Sequence, residues 1–207
     1  MRAFLGSVVA LGLAVSAPMA SAQTAPGTTS TQGIKAGVYQ VDPAHTQVVA
    51  KYMHLGFNPT YIFFGEPSGS LTLDPAKLAN SKVEITIPLA NLRTNVDKFT
   101  DHLKSPDFFD AAKYPEIRFV STSVKPTSAT EADIAGNLTV HGVTRPVTIK
   151  AEFTGQGANP MTKAATVGFV GRTQIQRSEF GVGKFVPMVG DEVTLKITAA
   201  FEQKAAE

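Results

Sequence analysis

The feature that most restricts this chain is strict period-2 alternation of apolar and polar residues, recurring in separate segments. In residues 82–87 (KVEITI), Val83, Ile85 and Ile87 share one face of an extended strand. Residues 147–153 place Val147 and Ile149 together, and residues 193–199 do the same for Leu195 and Ile197. Residues 134–140 alternate with Ile134, Leu138 and Val140 on one side and small or polar residues on the other. In residues 46–55, parity groups Val48, Ala50, Tyr52 and His54. Residues 61–73, 116–124 and 165–174 read as further strands, the last two contributing Phe119 and Phe169 to the apolar face. Eight long strands result, with a short one at 38–41.

Eight alternating strands in one domain favour a closed antiparallel barrel, because closure removes exposed sheet edges. Such a barrel holds either packed side chains or one small ligand. Its inside is apolar and its outside polar, the opposite sense to a membrane barrel with a polar lumen. One stretch breaks the pattern near residues 95–112. There Val96, Phe99 and Leu103 fall at helical spacing, Pro106 ends the helix, and residues 107–112 read as a second short turn of helix.

Composition narrows the function. Nineteen Lys and Arg against seventeen Asp and Glu give a net charge of +2, too little to point to nucleic acid or an anionic membrane surface as a partner. Zero Cys excludes disulfides, Cys-ligated zinc, iron–sulfur clusters and thiol nucleophiles. The N-terminus reads as an export signal: Arg2, an apolar run over residues 3–17, then Ala20-Ser21-Ala22 for cleavage after Ala22. The run is shorter than the roughly 20 residues of a transmembrane helix, so cleavage leaves no membrane anchor. The expected domains are a signal peptide at 1–22, a flexible Thr/Ser/Gly-rich leader at 23–37 and a barrel at 38–204, in a periplasmic protein.

Five stretches together form a resemblance. Residues 136–147 (GNLTVHGVTRPV) resemble a hairpin motif of the YceI-like family of exported, lipocalin-like, polyisoprenoid-binding proteins. Similar in order are DPAH at 42–45 leading to HLGF at 54–57, SGSLTLD at 68–74, DHLKSPDFFD at 101–110 with KYP at 113–115, and RSEFG at 177–181 with VGDEV at 189–193. The sequence departs from the family at Ala50, usually aromatic, at Met53, usually basic, and near Ile62 or Phe63, usually small. The resemblance implies an extended lipocalin-like barrel with a long apolar tunnel. It also implies an amphiphilic lipid partner, a polyprenyl lipid or isoprenoid quinone, with no catalytic residue, cofactor or metal.

Individual residues carry competing readings. No HxH, HxxxH or HExxH spacing joins the four His, which argues against a metal site. His54 reads as a hydrogen-bonded structural residue near a barrel end or as a contact to a ligand head group. Asp101 and His102 read as capping or docking the helix, with acid–base work on a small apolar substrate as the enzymatic alternative. His141-Gly142 reads as a hairpin turn. Arg177 is expected to pair with Asp191 or Glu192, a rim contact to a phosphate being the alternative. Phe108 and Phe109 are expected to plug one end of the barrel. Residues 61–64 (YIFF) are apolar on both faces and lie beneath the helix, line a wider tunnel or form a homodimer contact. A packed, ligand-free dimeric scaffold is the remaining alternative.

Overall fold

The structure, a computed structural model, describes residues 25–203, so the expected signal peptide lies outside the described residues. Strands β1 (Gly37–Val41), β2 (Gln47–His54), β3 (Asn58–Gly65), β4 (Ser68–Leu73), β5 (Lys82–Pro88) and the short β6 (Leu92–Arg93) precede helix α1 (Asp97–Lys104). After α1 come β7 (Glu116–Pro126), β8 (Glu131–Val140), β9 (Val143–Ala158), β10 (Ala165–Gln176) and β11 (Glu192–Gln203).

All pairings are antiparallel, and the ring closes through β1–β4–β5–β7–β8–β9–β10–β11 and back to β1. Strand β2 flanks one half of β11, with Ala50 opposite Leu195, while β1 flanks the other, with Val41 opposite Phe201. β1 and β2 therefore act as one bent stave of the barrel, and β3 with β4 as another. The first bend is held through β11: Asp42 N–H donates to the Ala200 carbonyl, and Thr46 Oγ1 accepts from Ala200 N–H at 3.0 Å. The second bend falls at Glu66, a non-glycine residue with φ of 53°, before the buried Pro67. Counted as staves the barrel is eight-stranded, as the alternation predicts.

The hairpin β8–β9 turns on His141 and Gly142, whose φ angles of 51° and 74° are the paired positive values of a type I′ turn. β9 is longer than its alternating stretch and runs through Pro146 at one end and past Gly157 at the other. Helix α1 buries Leu103. Residues 107–112, expected as a second turn of helix, form non-helical turns instead, because their amides fold back onto the end of α1: Phe109 and Ala111 donate to the Leu103 and Lys104 carbonyls. Val96, expected on the helix's apolar side, instead occupies the N-cap and is exposed.

The barrel has two distinct ends. At the helical end lie the β2–β3 tip, residues 89–115, the β8–β9 turn and the long loop 177–191. At the opposite end lie residues 25–36, the β4–β5 and β9–β10 loops and the β7–β8 turn. Here the flexible-leader expectation is corrected. Thr28 and Gln156 of β9 exchange backbone hydrogen bonds, both 2.8 Å, and Gln156 Nε2 donates to the carbonyls of Ser30 and Gln32. Tyr39 then donates its hydroxyl to the Lys35 carbonyl. Polar residues that read as unstructured are thus tied down by backbone pairing, which composition does not encode.

Candidate functional site: an apolar tunnel with one polar end

Alternation puts every second side chain of each stave inside the barrel, where they surround a cavity of about 520 Å³. That volume falls within the range of small-molecule sites. Every position named from the sequence lines it. β2 contributes Val48, Ala50, Tyr52 and His54, β5 contributes Val83, Ile85 and Ile87, and β7 contributes Phe119. β8 adds Ile134, Leu138 and Val140, β9 adds Val147 and Ile149, β10 adds Phe169, and β11 adds Leu195 and Ile197. The cavity reaches both ends, from Thr31, Ile34 and Pro75 to His102, Phe185 and Val189.

Residues outside the regular pattern complete the lining. Ile62 and Phe64 point in from β3, while Tyr61 and Phe63 face outward at 45% and 47% exposure. The YIFF stretch therefore alternates after all, its inward residues lining the tunnel. Phe99 and Leu103 of α1, Phe108, Phe109, Phe180 and Val182 close the helical end. The Phe109 ring meets Phe64 edge-on at 6.0 Å between centroids, consistent with the expected plug. Phe180 ends a single 3-10 turn, Arg177–Phe180, and Val182 follows it in irregular chain, where no strand periodicity marks either.

Polar groups gather at the two ends of the tunnel. His54 is the last residue of β2 and is exposed. The expected structural hydrogen bond is absent: no side-chain hydrogen bond holds its ring among the described residues, and only its backbone bridges to Val189. His102 contacts Asp107 at 3.2 Å and the Phe108 ring edge-on, and Lys184 reaches the same Asp107 oxygen at 2.5 Å. Asp101 does not line the cavity.

Arg177 departs most from expectation. Its guanidinium forms no ion pair with Asp191 or Glu192, and donates instead to four backbone carbonyls. Nε reaches Gly190 at 2.8 Å, Nη1 reaches Val182 at 2.6 Å and Lys184 at 3.0 Å, and Nη2 reaches Val189 at 2.8 Å. Asp191 accepts from the Ser178 N–H at 2.8 Å and hydroxyl at 2.6 Å. Arg177 thus shapes the loop 177–191 while lining the cavity. Burial pushes its pKa below the usual value, although nearby Asp191 and Tyr52 oppose this. Burial likewise raises the Tyr52 phenol, against the influence of Arg177 and of the neighbouring Thr60 hydroxyl.

Comparison with known proteins adds family and fold. Residues 39–201 match the YceI-like domain. A UPF0312 protein of Pseudomonas savastanoi pv. phaseolicola is 41% identical over 138 residues, spanning 67% of this chain and 71% of that protein. Burkholderia cenocepacia BcnA superposes with a TM-score of 0.70 at 31% identity, covering 77% of this chain and 98% of its own. The Campylobacter jejuni YCEI protein gives 0.66 at 26% identity, with 74% and 90% covered. A polyisoprenoid binding domain from Saccharophagus degradans shares the fold, with a TM-score of 0.61 at 13% identity, covering 82% of this chain and all of that one.

Proposed function

The chain belongs to the YceI-like family, and we propose that it is a binding protein sheltering the apolar tail of an amphiphile, an isoprenoid lipid or quinone, in its barrel. The observation that carries this reading is the apolar cavity running from one end of the barrel to the other. A tail that leaves water for such a space gains about 0.8 kcal/mol per buried methylene, so retention needs no polar partner along its length. The fold shared with a polyisoprenoid binding domain supports an isoprenoid tail. The signal-peptide pattern in residues 1–22 supports export to the periplasm, where a soluble shell around an insoluble tail is a carrier.

Two rival readings fare less well. A packed scaffold requires a barrel filled by its own side chains, and a cavity of about 520 Å³ speaks against it. An enzyme would place an acid–base pair among the apolar residues, whereas Asp101 lies outside the lining and His54 and His102 sit at its rim.

Mass spectrometry of an organic extract, from protein expressed in its exported form and purified without detergent, tests the proposal. A stoichiometric polyprenyl or quinone species is expected. A clean extract, repeated after incubation with bacterial membrane lipids, would overturn the reading.

A further inference from the structure

The middle of the tunnel is almost wholly hydrocarbon and holds no charged group, Thr46 and Thr173 being its polar exceptions, so recognition of a charged head group falls to the ends. The two ends differ in charge. At the open end opposite the helix, Lys82 and Glu131 carry opposite signs beside neutral Thr31, Thr130 and Ser81. At the helical end the lining holds Arg177, Tyr52, His54 and His102, and no carboxylate.

Arg177 is an unusual cation for such a place. It is half-buried and forms no ion pair among the described residues, and both oxygens of neighbouring Asp191 are engaged by Ser178. Four carbonyl dipoles orient the guanidinium, but dipoles do not cancel its charge. The Asp191 carboxylate acts on this charge through space without contacting it. A partly desolvated charge with no anion in direct contact is costly, and an anion beside it reduces that cost. Guanidinium carries five N–H donors, and the four carbonyls leave one on Nη2 free. Tyr52 supplies a second donor: the residue is 8% exposed and lines the same space.

We propose that Arg177 and Tyr52 form a head-group site for an anionic oxygen, so that the tunnel selects a long-tailed phosphate monoester or carboxylate and holds it with its head at the helical end. The proposal rests on the amphiphile-binding reading above and sharpens it. One guanidinium N–H and one phenolic O–H suit a single oxyanion, and the carbonyl cage holds the guanidinium in place before the guest arrives. The tail then lies along Leu138, Ile149 and Leu195 towards Ile34.

Titration calorimetry with three sixteen-carbon probes, hexadecyl phosphate, hexadecanoate and hexadecanol, tests this at pH 8 and below micellar concentrations. The native chain is expected to bind the better anion about tenfold tighter than the alcohol, the worth of one charge-assisted hydrogen bond. Which anion wins names the head as phosphate or carboxylate. Tyr52→Phe, which keeps the ring and its packing, is expected to reduce the anion's advantage several-fold and to leave hexadecanol unchanged. Arg177→Gln is expected to abolish the advantage, but loses loop contacts as well, so Tyr52→Phe is the decisive variant. Equal affinity for all three probes, or an anion preference undiminished by Tyr52→Phe, would overturn the head-group site while leaving the tunnel intact. Failure of every probe to bind would instead overturn the tunnel reading, and this inference with it.

Discussion

Gly157 lies directly against Pro26: a Cβ built on Gly157 would stand 2.8 Å from the Pro26 carbonyl oxygen. β9 thus offers bare backbone where residues 26–32 cross it, and the Thr28–Gln156 hydrogen bonds depend on that approach. Through Thr31 and Ile34 the docked segment forms part of the cavity wall.

Gly157→Ala is therefore expected to lift this segment while sparing the barrel. Overpacking of this kind costs on the order of 1–3 kcal/mol, set against a few hydrogen bonds. Hydrogen exchange at the Thr28 amide should accelerate at least tenfold in the variant, with the amides of β10 and β11 unchanged. Equal protection in both proteins would mean that the segment is held by other contacts.

A second prediction concerns pH. The Lys184 ammonium, first, and the His102 ring, second, hold the Asp107 carboxyl below its ordinary value of 3.8. A carboxyl lowered in the folded state contributes stability that is complete above its unfolded value and fades as pH falls through the folded one. The contacts joining loop 177–191 to the segment after α1 should therefore be insensitive to Asp107 between pH 7 and pH 5, and weaken below about pH 4. Exchange at the Val186 amide, which donates to the Gly183 carbonyl, reports the loop. Asp107→Asn should show the acid behaviour already at pH 7. A variant as protected as the native chain at that pH would refute the link.

Much of this architecture is legible in the sequence because a half-buried strand must alternate. Parity alone assigns Val48, Ala50 and Tyr52 to the interior, and all three are buried there. Parity fixes a face and not a depth, which is why His54, on the same face, ends up exposed at the rim. The bend at Glu66 leaves no trace, since a left-handed glutamate looks like any other polar residue between two apolar runs. β9 is under-read for the opposite reason: Pro146 and the glycines at 155 and 157 are poor strand formers, kept in place by pairing with β8, β10 and Thr28. The carbonyl cage around Arg177 is illegible in principle, because its partners are backbone atoms of a loop without periodicity. Sequence offers Asp191 as the obvious partner, and the fold gives that carboxylate to Ser178.

The last prediction addresses the tunnel. Ile149 of β9 faces the cavity and is half-buried, with its neighbour Gly171 of β10 close enough that a Cβ there would meet Ile149 Cγ2 at 3.1 Å. Ile149→Asp puts a carboxylate against the middle of a bound tail, where an unpaired charge in contact with hydrocarbon costs several kcal/mol. Without a guest, water entering the cavity can solvate that charge, so the empty barrel should still fold, losing roughly 1–3 kcal/mol. With a guest, the carboxylate must be desolvated or the tail expelled. The expected outcome is a folded variant whose organic extract carries no lipid, whereas Leu138→Asp, at a more tightly packed position, should lose both the lipid and more of the stability. Thermal melting followed by circular dichroism, paired with mass spectrometry of the same preparations, separates these effects. A folded Ile149→Asp protein retaining lipid at native stoichiometry would place the tail elsewhere.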